Sequence, residues 1–260
     1  YGGFKSRITE QHIKTIIEQK MDNGSFYEIL GDKIPKELLI EKFNEYLQEY
    51  KKHGSLGKFE NILNALQYIP KEKALELLDD DYLFLKKYVY NALKDCITQK
   101  QITKEIKKIF DLKESEEFYY RLKLLVKHLS HRFSEGNALL VLNLLKLVSN
   151  KAERAEILEI LLKNLPDKAI TEKFVKKYIE DKIFTYSNYD LKDRIKKRIT
   201  PQIVDYFIDA LTVDAKNKKN IDYDTQKKLF LLLYKNLKAE HIKMIGNSPG
   251  NYLLGDFLEI

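Results

Sequence analysis

Apolar residues recur every three or four positions along most of this chain, which is the spacing of an amphipathic α-helix. In residues 38–50 these positions are Leu38, Leu39, Phe43, Tyr46, Leu47 and Tyr50. Alternating, strand-like segments joined by Asn-Gly or Asp-Gly turns do not occur, and only 10 Gly and 5 Pro interrupt the 260 residues. The pattern predicts an all-α protein with about 12–14 helices and no β-sheet.

A short phrase marks the expected helix starts: an apolar residue, then Thr or Pro, then an acid or amide, then apolar residues at helical spacing. A Thr hydroxyl can accept from N–H groups that the first helical turn leaves unpaired, which predicts N-caps at Thr9, Thr103, Thr171 and Thr200. Proline suits the first helical position, as at Pro35, Pro70 and Pro201. Acids in the first turn favour the helix dipole, as at Glu10, Glu37, Glu72, Glu105, Glu172 and Glu240.

The phrase recurs along the chain, with copies that begin at Ile8, Ile34, Ile69, Ile102, Ile170, Ile199 and Leu237. Successive starts lie 26, 35, 33, 68, 29 and 38 residues apart, and 68 is two steps of 34. In spacing alone this resembles helical-repeat arrays of the HEAT or armadillo kind, whereas diagnostic tetratricopeptide and ankyrin phrases are missing. The resemblance implies a curved solenoid or a multi-helix array. Capped helices without repeat ancestry are the alternative.

The length and the apolar pattern set the expected domain organisation. We expect one helical-repeat domain over residues 1–260, with a sub-boundary near 182–190 as the alternative and a flexible, polar connection at 214–220. Residues 139–145 are apolar almost all round, which predicts a helix buried on several sides. The uncharged, apolar run at residues 136–145 is too short to cross a bilayer, so we expect a soluble, non-transmembrane chain.

The formal net charge of +7 lies entirely in the middle of the chain, because residues 101–200 hold 22 basic against 15 acidic side chains. Such a surface suits nucleic acid, an anionic lipid surface or an acidic partner, and interleaved tyrosines can stack on bases. The candidate anion-binding residues are Lys173, Lys176, Lys177, Tyr186, Tyr189, Lys192, Arg194, Lys196, Lys197 and Arg198. The competing interpretation is a solvated face, with Asp190 and Asp193 as local partners.

Candidates for metal binding and catalysis are weak. His128 and His131 are three residues apart, but a metal site would need a third ligand, and Arg132 is an unfavourable neighbour. The acidic run at residues 79–81 lacks the spaced ligands of a calcium loop, and an acidic helix start explains it. The single cysteine, Cys96, follows an acid, which disfavours a thiolate nucleophile. We expect no metal, no cofactor and no enzymatic activity.

These features lead to three hypotheses. The first is a non-enzymatic helical-repeat module that binds another protein as a scaffold or adaptor. The second is an anion-binding helical domain that holds nucleic acid or phosphoinositide through the basic stretch 173–198. A catalytic domain with a dispersed site ranks last. The chain begins at Tyr1 without a signal-peptide pattern, so we expect an excised domain or processed product that is cytoplasmic or otherwise intracellular, and its targeting segments can be missing.

Overall fold

A computed structural model describes residues 7–19, 23–54, 56–80, 82–186, 192–212 and 222–247. Over these ranges the chain forms fifteen α-helices and five short 3-10 helices, and no strand, so the all-α prediction is confirmed. The count exceeds the expected 12–14 helices because the segment Gly24–Leu30, which no predicted start phrase marks, is also helical. No described helix is long and apolar enough to cross a membrane. The predicted flexible connection at 214–220 lies outside the described residues.

Residues 1–98 and 99–260 form two compact units. The single-domain interpretation of the sequence stays a prediction. The first unit contains α1 (Glu10–Glu18), α2 (Gly24–Leu30), α3 (Lys36–His53), α4 (Gly57–Leu63), α5 (Lys71–Glu76) and α6 (Leu83–Leu93). Its core includes the buried aromatic side chains Tyr27, Phe43, Phe59 and Tyr90.

Among its described residues, the first unit also buries one charged side chain. Lys86 on α6 is only 1% exposed, and its Nζ donates to the Leu78 carbonyl at 2.6 Å, two residues beyond the end of α5. The ammonium lies 6.0 Å from the centre of the Tyr90 ring. Because a buried ammonium needs hydrogen-bond acceptors, the Leu78 carbonyl helps to tie α6 to the turn that follows α5.

The second unit contains α7 (Gln99–Asp111), α8 (Glu117–Leu129), α9 (Glu135–Leu145), α10 (Lys151–Asn164), α11 (Glu172–Glu180), α12 (Lys192–Lys196), α13 (Pro201–Leu211), α14 (Tyr223–Leu233) and α15 (Ala239–Gly246). Helix α7 packs against α8 and α9, α8 packs against α10, and α9 packs against α10 and α11. Helix α9 buries Ala138, Val141, Leu142, Leu144 and Leu145, so its predicted burial on several sides is confirmed.

The predicted helix starts agree with the structure at most positions. Thr9, Thr171 and Thr200 are N-caps whose hydroxyls accept from the backbone N–H three residues on, and Pro201 occupies the first turn of α13. Pro35 and Pro70 stand one residue earlier than expected, at the N-cap position.

The prediction of an N-cap at Thr103 is wrong, because α7 starts at Gln99 and encloses this threonine. Glu105, expected in a first turn, is buried in the middle of the same helix. The Thr103 hydroxyl oxygen lies 2.8 Å from the Gln99 carbonyl oxygen and 2.7 Å from Asn137 Oδ1. The Gln99 side chain bonds to the backbone N–H of Ser134 and to Asn137, so tertiary contacts hold the first turn of α7.

Candidate functional site

The predicted basic residues separate into two groups in the second unit. The first group lies on α11, where Lys176 pairs with Glu172 at 2.9 Å and Lys177 pairs with Asp181 at 2.7 Å. Both pairs join residues four apart on the helix and are partly exposed. They provide local charge balance on this side of α11, although the neighbouring Lys173 is exposed.

The α11 group is also tied to neighbouring elements. Lys146, just beyond the end of α9, pairs with Asp181 at 2.8 Å, so this carboxylate bridges two ammonium groups. Burial acts to raise the pKa of Asp181, but the hydrogen bonds from Lys146 and Lys177 outweigh it, and the pKa is lowered. Lys176 Nζ lies 5.2 Å from the centre of the Tyr206 ring, and the Tyr206 hydroxyl donates to Glu180 at 3.0 Å. Much of the positive charge on α11 therefore serves contacts within the protein.

The second group surrounds Arg194 on α12. Its Nη1 donates to the carbonyls of Leu162 and Lys163, and its Nη2 donates to the Leu165 carbonyl at 2.6 Å and to the Asp167 carboxylate. The last carbonyls of a helix have no partners within the helix, and these three belong to the C-terminal end of α10. We call this arrangement the Arg194 clamp, and it occupies the terminal donors of the guanidinium.

Several further cations flank the clamp. The hydrogen bond and charge of Arg194 lower the pKa of Asp167, and the charges of Arg198 and Lys197, which directly follow α12, act in the same direction. Lys197 and Arg198 are exposed, whereas Lys196 lies 3.7 Å from Asp193. Two exposed lysines complete the set: Lys163 contributes a clamp carbonyl, and Lys168 follows Asp167.

We call Lys163, Lys168, Lys197 and Arg198 the basic corner. The sequence prediction included Lys197 and Arg198 but missed Lys163 and Lys168, which precede them by about 30 residues, the interval of the expected repeat. The repeat interval is the sequence signal that could have indicated Lys163 and Lys168. The corner therefore forms through the Arg194 clamp between α10, the 3-10 helix Asp167–Ala169 and α12, and not along a single helix face.

The predicted tyrosine loop is described only in part. The guanidinium of Arg154 stacks on the Tyr186 ring, 4.4 Å from its centre, and Arg154 also donates to the Val148 carbonyl through Nε and Nη2. One face of Tyr186 is thus covered by a side chain of the same protein. Tyr189 lies outside the described residues, and so does the side chain of Lys192.

A further polar cluster joins α8 to α10. The Tyr119 hydroxyl donates to Glu156 Oε2 at 2.5 Å, and Lys123 Nζ lies 2.7 Å from Glu156 Oε1. Burial and the Glu156 hydrogen bond raise the pKa of Tyr119, whereas hydrogen bonds from Lys123 and Tyr119 lower the pKa of Glu156. Both shifts move the groups away from neutral pH, and the contacts of Glu156 with Tyr119 and Lys123 link α8 to α10.

The remaining candidates occupy separate helices and turns. His128 lies on α8 and His131 in the following 3-10 helix, and no cluster of three or more His, Cys, Asp or Glu suited to a metal occurs in the described parts of the chain. Asp80 accepts from the Tyr82 N–H at 2.9 Å, immediately before α6. Cys96 is half-buried.

Comparisons of the chain with protein-family models, curated proteins and solved structures find no match. Function is therefore inferred from the contacts and charges described above.

Proposed function

We propose that this chain is a non-enzymatic helical-repeat module that binds another protein as a scaffold or adaptor. The observation that carries the proposal is the packing of helices two apart: α7 with α9, α8 with α10, and α9 with α11. The first residues of these pairs, at 99 and 135, 117 and 151, and 135 and 172, are separated by 36, 34 and 37 positions. Stacked helical hairpins produce this alternation of contacts, because each hairpin packs on the next.

Side-chain contacts support the same interval. Residue pairs that link well-separated helices include Thr103 with Asn137, Lys146 with Asp181, Glu180 with Tyr206, and Asp205 with His241, which are 34, 35, 26 and 36 positions apart. The last pair joins Asp205 Oδ1 to the buried His241 Nε2 at 2.8 Å. Three of these intervals lie between 34 and 36 positions, and recurrent contacts at a similar interval are expected when each repeat touches mainly its neighbours.

Exposed aromatic side chains favour a protein partner. Tyr120 on α8 is 57% exposed and Tyr206 on α13 is 58% exposed, although contacts hold both in place. Tyrosine supplies a large contact area at low conformational cost and is enriched at protein interfaces. Repeat proteins present extended binding surfaces that are built from the exposed side chains of successive helices.

Site-specific photo-crosslinking tests the proposal. The intact chain, carrying benzoylphenylalanine at Tyr120 or Tyr206, is irradiated in an extract of the source cells, with Tyr82 of the first unit as the control position. We expect a discrete crosslinked protein that excess unlabelled chain competes away, and whose purified form binds at a fixed stoichiometry by calorimetry. Absence of a competed crosslink, or failure of the purified protein to bind, would contradict a protein-binding function.

The second candidate function is an anion-binding domain for nucleic acid or phosphoinositide through the stretch 173–198. One observation favours it: Lys173, Lys197 and Arg198 are exposed and form no ion pair with a carboxylate of the described residues. Duplex DNA, RNA and phosphoinositide vesicles at two salt concentrations test it, with Lys173→Glu/Lys197→Glu/Arg198→Glu as the variant. Salt-sensitive binding that the variant abolishes would favour this candidate, because counterion release makes such binding salt-dependent.

A further inference from the structure

We propose that the basic corner, formed by Lys163, Lys168, Lys197 and Arg198, binds an acidic segment, rich in Asp and Glu, of the protein partner. This inference rests on the proposed protein-binding function and names the chemistry that its partner offers. The corner joins the end of α10 and the 3-10 helix Asp167–Ala169 to the end of α12, which are distant in sequence.

Two carboxylates at the corner already have partners. Asp167 accepts from Arg194, and Asp193 pairs with Lys196 at 3.7 Å. The four cations of the corner are all exposed and form no ion pair within the described part of the chain. An excess of positive charge therefore remains after the internal pairs are counted, and an acidic segment complements it.

The Arg194 clamp gives the corner a fixed frame. Arg194 donates to three carbonyls at the end of α10, those of Leu162, Lys163 and Leu165, and to a carboxylate of the next turn. The two sides of the corner are thus kept in register by hydrogen bonds to main-chain atoms. A preorganised frame lowers the cost of ordering the backbone when a ligand binds.

The side chains around the corner favour an acidic protein segment over nucleic acid. None of the four side chains is aromatic, and Tyr186, the predicted stacking residue that the structure describes, has one ring face covered by Arg154. Strong, salt-dependent binding of duplex DNA commonly uses about 6–10 phosphate contacts, more than four cations supply. Exposed ion pairs are individually weak, so the corner contributes partner choice and association rate more than affinity.

Charge reversal in the intact chain tests the proposal with a fluorescein-labelled peptide of ten glutamates as the probe. The corner variant is Lys163→Glu/Lys168→Glu/Lys197→Glu/Arg198→Glu. The matched control is Lys100→Glu/Lys107→Glu/Lys151→Glu/Lys243→Glu, which changes four exposed lysines of the same unit and alters the net charge equally. Because each exposed pair is worth about two- to fivefold, we expect the corner variant to bind at least about tenfold more weakly, and the control to stay within about threefold of wild type.

Three results would overturn the inference: no peptide binding by wild type at low salt, equal losses in both variants, or tighter binding of a duplex DNA of equal charge. Glutamine replacements at the four corner positions remove the positive charges without adding negative ones, and they should also weaken peptide binding. The glutamate and the glutamine variants both keep Arg194 and Asp167, so the clamp stays intact. The photo-crosslinking experiment distinguishes failure of the basic-corner inference from failure of the proposed protein-binding function. A partner that crosslinks equally to the corner variant overturns the corner alone, whereas absence of any crosslinked partner removes the proposed function.

Discussion

Removal of the Arg194 side chain would leave the carbonyls of Leu162, Lys163 and Leu165 without the donors that now cover the end of α10. A hydrogen bond to a charged group contributes about 1.5–3 kcal/mol, but water can replace part of this loss because the Arg194 side chain is 29% exposed. We expect Arg194→Ala to lower the free energy of unfolding by about 2–4 kcal/mol. At about 2–4 °C for each kcal/mol, the Tm falls by about 5–15 °C.

Urea unfolding followed by circular dichroism measures this change at constant m value. Arg194→Lys is the informative intermediate, because an ammonium keeps the charge but lacks the planar fork that reaches several acceptors together. Lys197→Ala is the matched control on the same turn, and we expect it to stay within about 0.5 kcal/mol of wild type, since the residue is exposed. Equal unfolding midpoints for Arg194→Ala and Lys197→Ala would refute the clamp.

Three further predictions concern backbone strain, pH and capping. Lys182 adopts a left-handed φ of 55°, so Lys182→Gly should stabilise the protein by about 0.5–1 kcal/mol in urea, whereas Gly54→Ala at φ 68° should destabilise it by about 1 kcal/mol. The pKa of Asp181 is lowered, so the ionised carboxylate stabilises the folded protein above the ordinary pKa of 3.8, and this stabilisation is lost as the pH falls below that value. Asp181→Asn should therefore reduce the fall in Tm between pH 6 and pH 2. Thr171→Ala should cost about 1 kcal/mol in urea, because α11 loses its N-cap, and an unchanged midpoint would contradict this role.

Helix positions could be predicted from local sequence wherever the signal itself is local. An N-cap is recognised within four residues, and Thr171 and Thr200 were found in this way. The same rule gave a wrong N-cap at Thr103, because a threonine inside a helix can instead donate to the carbonyl four residues back. The sequence around such a threonine resembles that around an N-cap. The burial of α9 could also be predicted, since a helix that is apolar all round has no solvated face.

The candidate site could be predicted only in part, because its contacts are not local. The acceptors of Arg194 lie 27 to 32 residues earlier in the chain, so charge and helical spacing suggested a ligand site and did not indicate the clamp. The same hydrogen bonds of Arg194 join the segment that contains Lys163 and Lys168 to the basic stretch. The charge pattern thus indicated the basic stretch 173–198, whereas the hydrogen bonds of Arg194 to main-chain carbonyls could not be read from it.

The burial of Lys86 has a practical consequence for amine chemistry. In a chain with many exposed lysines, its ammonium is enclosed and bonded to the Leu78 carbonyl, so acylating reagents meet it only after α6 separates from the turn that follows α5. The rate at which mass spectrometry detects acylated Lys86, relative to exposed lysines in the same sample, then reports how often the first unit opens. The buried Lys86 amine makes those openings measurable without any engineered label.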